Sequence, residues 1–121
     1  MITLDTSVWI DHLNNVNEQV SEYPDASEVL IPHVIGEIAL GTIRDRRRVL
    51  DSLNGLSQLI VANTEEVMTT IERHGLAGSG IGFVDANLIA SCLLTQDCLL
   101  WTRDRRLAAV ADRLGLGVRM H

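Results

Sequence analysis

Four carboxylates in this 121-residue chain stand within or just beyond apolar stretches. Asp5 directly follows the apolar run Ile2–Leu4. Glu37 lies among Val34, Ile35, Ile38, Ala39 and Leu40. Asp85 interrupts the segment GFVDANLIASCLL, where helical spacing puts it on the face of Leu88, Ile89 and Cys92. Asp104 sits three residues beyond Trp101, past the apolar run CLLW. A carboxylate in apolar surroundings is costly without a partner. Taken singly, each has a plain explanation. Asp5 and Asp104 can cap helices, Glu37 can face water, and Asp85 can gain ~0.5 kcal/mol from the dipole of a helix's first turn.

Convergence of the four would mean a different chemistry. Two unit charges ~4 Å apart repel by roughly 4 kcal/mol at an effective dielectric near 20. A cluster of four therefore needs a counter-ion or takes up protons. Oxygen-only donors suit a hard cation, Mg²⁺ or Mn²⁺, and not zinc. The histidines, His12, His33, His74 and His121, show no paired ligand spacing and read as surface or capping residues. A hard divalent cation held by carboxylates activates water and offsets the charge on a phosphodiester under attack. The net charge is −6, from 16 acids and 10 bases, and every base is Arg. That balance argues against coating nucleic acid through electrostatics alone. It leaves room for an acidic cluster that a metal neutralises.

These acids need elements to hold them. The spacing predicts a strand ending at Asp5, then a helix capped by Asp5 or Thr6 that carries Val8, Trp9, Ile10 and Leu13. Residues 14–28 are polar and read as a short helix and loop, with EVLIP as a short strand or a lead-in. Pro32 opens a helix that Gly41 stops, and RDRRRVLDSLNGL gives a helix with a basic start. LSQLIVA reads as a strand, and NTEEVMTTIERHG as a helix boxed by Asn63 and Glu66 and ended by Gly75. LAGSGIG is a flexible loop into the Asp85 helix, and CLLWT is a buried strand with Trp101 in the core. RDRRLAAVADRLG is a helix stopped by Gly115, and GVRM a last strand. This alternation predicts an α/β fold with a mainly parallel sheet, in one domain over residues 1–121. Ligands of such sheets gather beyond the carboxyl ends of the strands, where Asp5 and Asp104 would share a cleft.

Aromatic residues are scarce, so the core must be aliphatic. Cys92 and Cys98 read as small core residues and not as a disulfide. No apolar stretch approaches the ~20 residues that span a bilayer, and Asp5 breaks the first apolar run before any leader pattern forms. The expectation is a cytoplasmic protein without a membrane role.

Four motifs now combine. LDTSVWID, GEIALG, GIGFVDANLIAS and LLWTRDRRL resemble, in order and spacing, the PIN-domain ribonucleases, and within them the VapC toxins of bacterial toxin–antitoxin pairs. The resemblance runs the length of the chain. It implies a three-layer α/β/α fold with a mainly parallel sheet of about four to five strands. It also implies a Mg²⁺- or Mn²⁺-dependent endoribonuclease acting on structured RNA such as tRNA or rRNA. Asp5, Glu37, Asp85 and Asp104 match the family's acidic cluster. The notion that follows is that Asp5, Asp85 and Asp104 lie within one metal's reach, with Glu37 holding a second ion or ordering water. Thr6 or Ser7 and Thr102 match supporting hydroxyl positions. A homodimer and a cognate VapB antitoxin are implied as well. Two residues depart from the pattern: Trp101 replaces a smaller aliphatic residue, and Leu107 a frequent aromatic.

Several residues keep two readings. Arg103, Arg105 and Arg106 bracket Asp104 and could grip RNA phosphates, or face water at a helix start. Arg44, Arg46, Arg47 and Arg48 could bind RNA, pair with an acidic antitoxin tail, or do neither. Trp9 is a core residue or part of an apolar groove for the antitoxin or a second subunit. Asp11, Asp45, Asp51 and Asp112 read as solvated, and Asp97 as a turn residue. Other functions fit less well. A non-catalytic PIN-like binding module would be expected to lack one of the acids. A phosphoryl-accepting receiver domain needs an N-terminal Asp pair and a lysine, and an Asp-nucleophile phosphatase needs a second Asp at position 7, which is Ser7.

Overall fold

A computed structural model describes residues 1–14 and 28–118 of the chain. The helix and loop expected between residues 15 and 27, the end of GVRM and His121 fall outside them. Among the described residues, four short strands form a parallel sheet: β1 (Ile2–Leu4), β2 (Glu28–Leu30), β3 (Ser57–Gln58) and β4 (Leu99–Trp101). The same residues include six helices: α1 (Thr6–Asn14), α2 (Pro32–Leu40), α3 (Arg46–Asn54), α4 (Thr64–Arg73), α5 (Phe83–Leu94) and α6 (Arg105–Arg113). The spatial order β3-β2-β1-β4 places β2 and β4 on opposite sides of β1. The crevice between β1 and β4 is therefore the topological switch point, where such sheets bind ligands.

Helices cover both faces of β1, since the successive residues Thr3 and Leu4 are both buried although their side chains point to opposite faces. Leu4, Val8, Trp9, Val34, Ile38, Leu88, Ile89, Leu100 and Leu107 belong to one continuous core, which is aliphatic apart from Trp9. Each such side chain stabilises the fold by about 1.5–3 kcal/mol through burial. The caps follow the sequence signals. Asn63 and Glu66 exchange hydrogen bonds of 2.8 and 3.0 Å across the start of α4. Gly75 and Gly115 take φ of 60° and 74° just beyond α4 and α6, a left-handed turn that glycine adopts without a Cβ clash.

Three expectations need correction. The strand expected over LSQLIVA shrinks to Ser57–Gln58. The backbone of Ala62 is claimed by α5 instead: Asn87 Nδ2 donates to Ala62 O (3.0 Å), and Ala62 N–H donates to Ser91 Oγ (3.0 Å). Ser91 Oγ closes the network by donating to Asn87 Oδ1 at 2.9 Å. The last strand, within the described residues, is a single bridge between Gly117 and Leu100. Trp101 is only half-buried, because beyond β4 the sheet continues through that bridge alone. Cys92 and Cys98 are buried free thiols, in contact at 3.7 Å.

The Asn87 network is buried, so breaking it leaves polar atoms without water to replace the partner. Asn87→Ala is expected to destabilise the protein by about 2 kcal/mol. A lower urea midpoint with an unchanged slope is the signature.

Candidate metal-binding and active site

The pairing of β1 with β4 sets the geometry. Leu4 lies opposite Trp101, so the next residues, Asp5 and Thr102, emerge side by side at the carboxyl ends of the two strands. Asp5 N–H donates to Trp101 O at 3.1 Å, extending the ladder one step. The Asp5 carboxylate is 4% exposed and well provided with donors. Ser7 Oγ donates to Oδ1 at 2.5 Å, and Val8 N–H donates to the same atom at 3.1 Å. Thr102 Oγ1 donates to Oδ2. Asp5 is thus the N-terminal cap of α1 and is held at once from α1 and from the exit of β4. Among the described residues, a carboxylate with about four lone-pair sites keeps one open, on Oδ2.

The other three acids come from three helices. Asp104 caps α6, its Oδ1 accepting from Arg106 N–H (2.8 Å) and Leu107 N–H (3.1 Å). Asp85 stands in the first turn of α5, with Oδ2 facing Gly82 N–H at 3.4 Å. Glu37, on the exposed side of α2, accepts from Thr6 Oγ1 at 2.5 Å. Partial burial raises the Asp85 carboxyl above its ordinary value, and the Gly82 hydrogen bond works against the rise. The negative charges of Asp5, Glu37 and Asp104 then add to it. Asp85 thus feels all three of the other acids.

The tighter expectation is corrected. Among the described residues, no three carboxylate, imidazole or thiol groups converge closely enough to hold one metal ion. The reason is local: each carboxylate accepts from a donor of its own cap or neighbouring hydroxyl, and mutual repulsion favours that spread. The donor set nonetheless fits a hard divalent cation, because it offers oxygen alone and its charges already raise Asp85. Asp5, Asp85, Asp104 and Glu37 are the residues that could hold it.

The supporting residues divide. Ser7 and Thr102 bond Asp5, whereas Thr6 bonds Glu37. Arg103 is engaged elsewhere: its Nε lies 2.8 Å from Asp11 Oδ2, and its guanidinium carbon lies 5.9 Å from the centroid of the Trp101 ring. Arg105 is exposed at the start of α6. Arg106 lies across the glycine-rich loop. A Cβ added to Gly80 would meet Arg106 Cδ at 2.7 Å, and Gly80 has a φ of 84°. Arg44, Arg46, Arg47 and Arg48 are exposed, with Arg46 Nη1 donating to Gly41 O at 3.2 Å.

Sequence reasoning missed Asp11, read as solvated. Its spacing of four from Ser7 was the available signal, since that puts both on one face of α1. The apolar groove offered as one reading of Trp9 is present as a cavity of about 330 Å³ between α1 and α3, lined by Trp9, His12, Leu13, Val49, Leu53 and Leu56 among others. Trp9 is therefore both a buried core residue and part of a groove. His12, expected at the surface, packs edge-on against Trp9 with ring centroids 5.8 Å apart. Burial lowers its pKa. Trp9 Nε1 and His12 Nδ1 are buried without hydrogen-bond partners among the described residues.

The sequence signature of the PIN domain matches residues 2–113. Ribonuclease VapC32 of Mycobacterium tuberculosis, in strains CDC 1551 / Oshkosh and ATCC 25618 / H37Rv, is 43% identical over 119 residues. The alignment covers 98% of this chain and 96% of the relative.

The raised carboxyl of Asp85 has a thermodynamic consequence. The folded protein holds that proton more tightly than the unfolded chain does. The associated stability is full below the ordinary value of 3.8 and is lost as pH rises through the carboxylate range. In cation-free protein at neutral pH, Asp85→Asn is expected to raise Tm by about 2–4 °C, solvent screening keeping the gain small. The gain should vanish below the ordinary value, as thermal melts across pH would register.

Proposed function

This chain belongs to the PIN-domain family, as a VapC-type ribonuclease toxin, and from that premise we propose that it is a Mg²⁺- or Mn²⁺-dependent endoribonuclease. Its substrate in this reading is structured RNA such as tRNA or rRNA. A VapB-type antitoxin neutralises it, and it acts in the cytoplasm as a homodimer. The observation that carries the catalytic reading is the placement of acids at the carboxyl ends of the strands: Asp5 emerges beside Thr102, which also accepts from Asp104 N–H, and Glu37 is bonded by Thr6, the residue after Asp5.

Within that site each residue has a task. Asp5 is the fixed ligand, its carboxylate oriented by Ser7, Val8 N–H and Thr102 and one lone pair left open. Asp85 and Asp104 complete the oxygen set from the starts of α5 and α6. Glu37, steadied by Thr6, holds a second ion or orders water. A bound divalent cation supplies the polarisation that lets water attack phosphorus and offsets charge on the departing 3′ oxygen. Arg105 and Arg106, beside Asp104, are suited to the flanking phosphates. The cavity beside Trp9 supports the antitoxin assignment, because it offers an apolar wall, two buried N atoms without partners among the described residues, and a polar rim at Asp45 and Arg48. The alternative, a non-catalytic PIN-like module for RNA or protein, would leave the full acidic set without a use.

Sequencing of RNA 5′ ends after induction tests the proposal, with Asp5→Asn as the control. New ends at defined sites are expected with the wild type and not with the variant. With purified protein, Asp5→Asn, Asp85→Asn and Asp104→Asn are each expected to slow cleavage by at least about 100-fold. An equally active Asp85→Asn protein would sink the assignment. Mn²⁺ is expected to raise the Tm of the wild type by binding the folded state. The same titration of Asp85→Asn should give a markedly smaller shift.

A further inference from the structure

Ser7 and Asp11 are four residues apart on α1 and so lie on one face, a single turn from each other. Arg103 spans that turn. Its backbone N–H donates to Ser7 Oγ at 3.3 Å, and its side-chain Nε bonds Asp11 Oδ2 at 2.8 Å. The guanidinium also approaches the Trp101 ring, at 5.9 Å from the centroid. The Ser7 contact leads to the acidic site, and so do the residues on either side of Arg103. Ser7 Oγ donates onward to Asp5 Oδ1. Asp104 N–H donates to Thr102 Oγ1 (3.0 Å), and Thr102 donates to Asp5 Oδ2. Residues 102–104, the turn from β4 into α6, are therefore fastened to α1 through Asp5, Ser7 and Asp11.

We propose that Asp11 is a positioning residue for the acidic site: by holding the Arg103 side chain along α1, it sets where Thr102 and Asp104 stand relative to Asp5. The ion pair is half-exposed, with side chains 51% and 37% accessible, so its contribution to overall stability is small. Its leverage is geometric, because reacting groups tolerate little displacement. The same pair withholds Arg103 from RNA. Arg103 then serves the reaction through the backbone and not as a phosphate ligand.

The effect on cleavage rests on the nuclease reading, while the effect on the turn does not. In metal-free Asp11→Asn protein, the amides of Arg103 and Asp104 are expected to exchange with solvent at least about 5-fold faster than in the wild type, with Tm nearly unchanged. With total tRNA and Mn²⁺, kcat is expected to fall about 5- to 20-fold while KM stays constant. The charge swap Asp11→Arg with Arg103→Asp should recover most of both losses. Unchanged amide exchange would overturn the proposal. So would a lower KM at constant kcat, which would make Arg103 a phosphate ligand that Asp11 holds back. If wild-type protein leaves both tRNA and rRNA intact, the nuclease reading fails and the exchange rates alone decide the role of Asp11.

Discussion

The carboxylate of Asp5 is the constraint on which the site depends. It is buried at the end of β1, where an unpaired charge would be costly. Three donors offset that cost: two hydroxyls and the Val8 N–H. Each also fixes an element. Val8 N–H makes Asp5 the cap of α1, and Thr102 ties it to the exit of β4. Ser7 links it to the Arg103 backbone. A single buried charge thus sets the angle at which α1 leaves the sheet and the position of the turn that delivers Asp104.

The remaining acids are held by weaker, local means. Asp104 is occupied as a helix cap, Asp85 leans on a long hydrogen bond to Gly82, and Glu37 rests on Thr6. These attachments let three more carboxylates stand near Asp5 without meeting. The cost shows at Asp85, whose carboxyl is raised by burial first and then by the charges of its neighbours. An assembly of this kind trades folding stability for a readiness to accept positive charge. Asp85 suits that trade, since the apolar face behind it is anchored by Leu88, Ile89 and Cys92 and the Asn87–Ser91 network pins the helix to Ala62.

Much of this was legible in the chain because the signals were local. Pro32, Asn63 with Glu66, Gly75 and Gly115 mark helix ends through their own backbone and side-chain chemistry. The α/β class followed from the alternation of apolar runs. Asp5 and Asp104 followed from their places just past strands. What stayed hidden depends on partners distant in sequence. LSQLIVA has strand-like residues throughout, yet Asn87 and Ser91, 25 and 29 positions on, take the Ala62 backbone that a longer strand would need. Trp101 looked central because β4 is apolar, and only the sheet order shows how little lies beyond it. Asp11 looked solvated because its partner, Arg103, stands at the far end of the chain. Convergence of the acids was overstated for the same reason: sequence spacing reveals which residues reach one end of the sheet, and not which donors they find there.

The charge pattern resolves an apparent conflict. A chain of net charge −6 is ill suited to RNA as a whole, and the acidic field at the strand ends deepens that repulsion. The basic residues that matter are those at the start of α6, adjacent to Asp104. Arg103 is spent on Asp11, which leaves Arg105 exposed and Arg106 laid across Gly80. Glycine at position 80 suits its positive φ of 84°, a conformation that L side chains rarely adopt. Asp104 and these two arginines thus stand within one turn at the start of α6. Local charge, and not the total, then governs how a polyanion can approach.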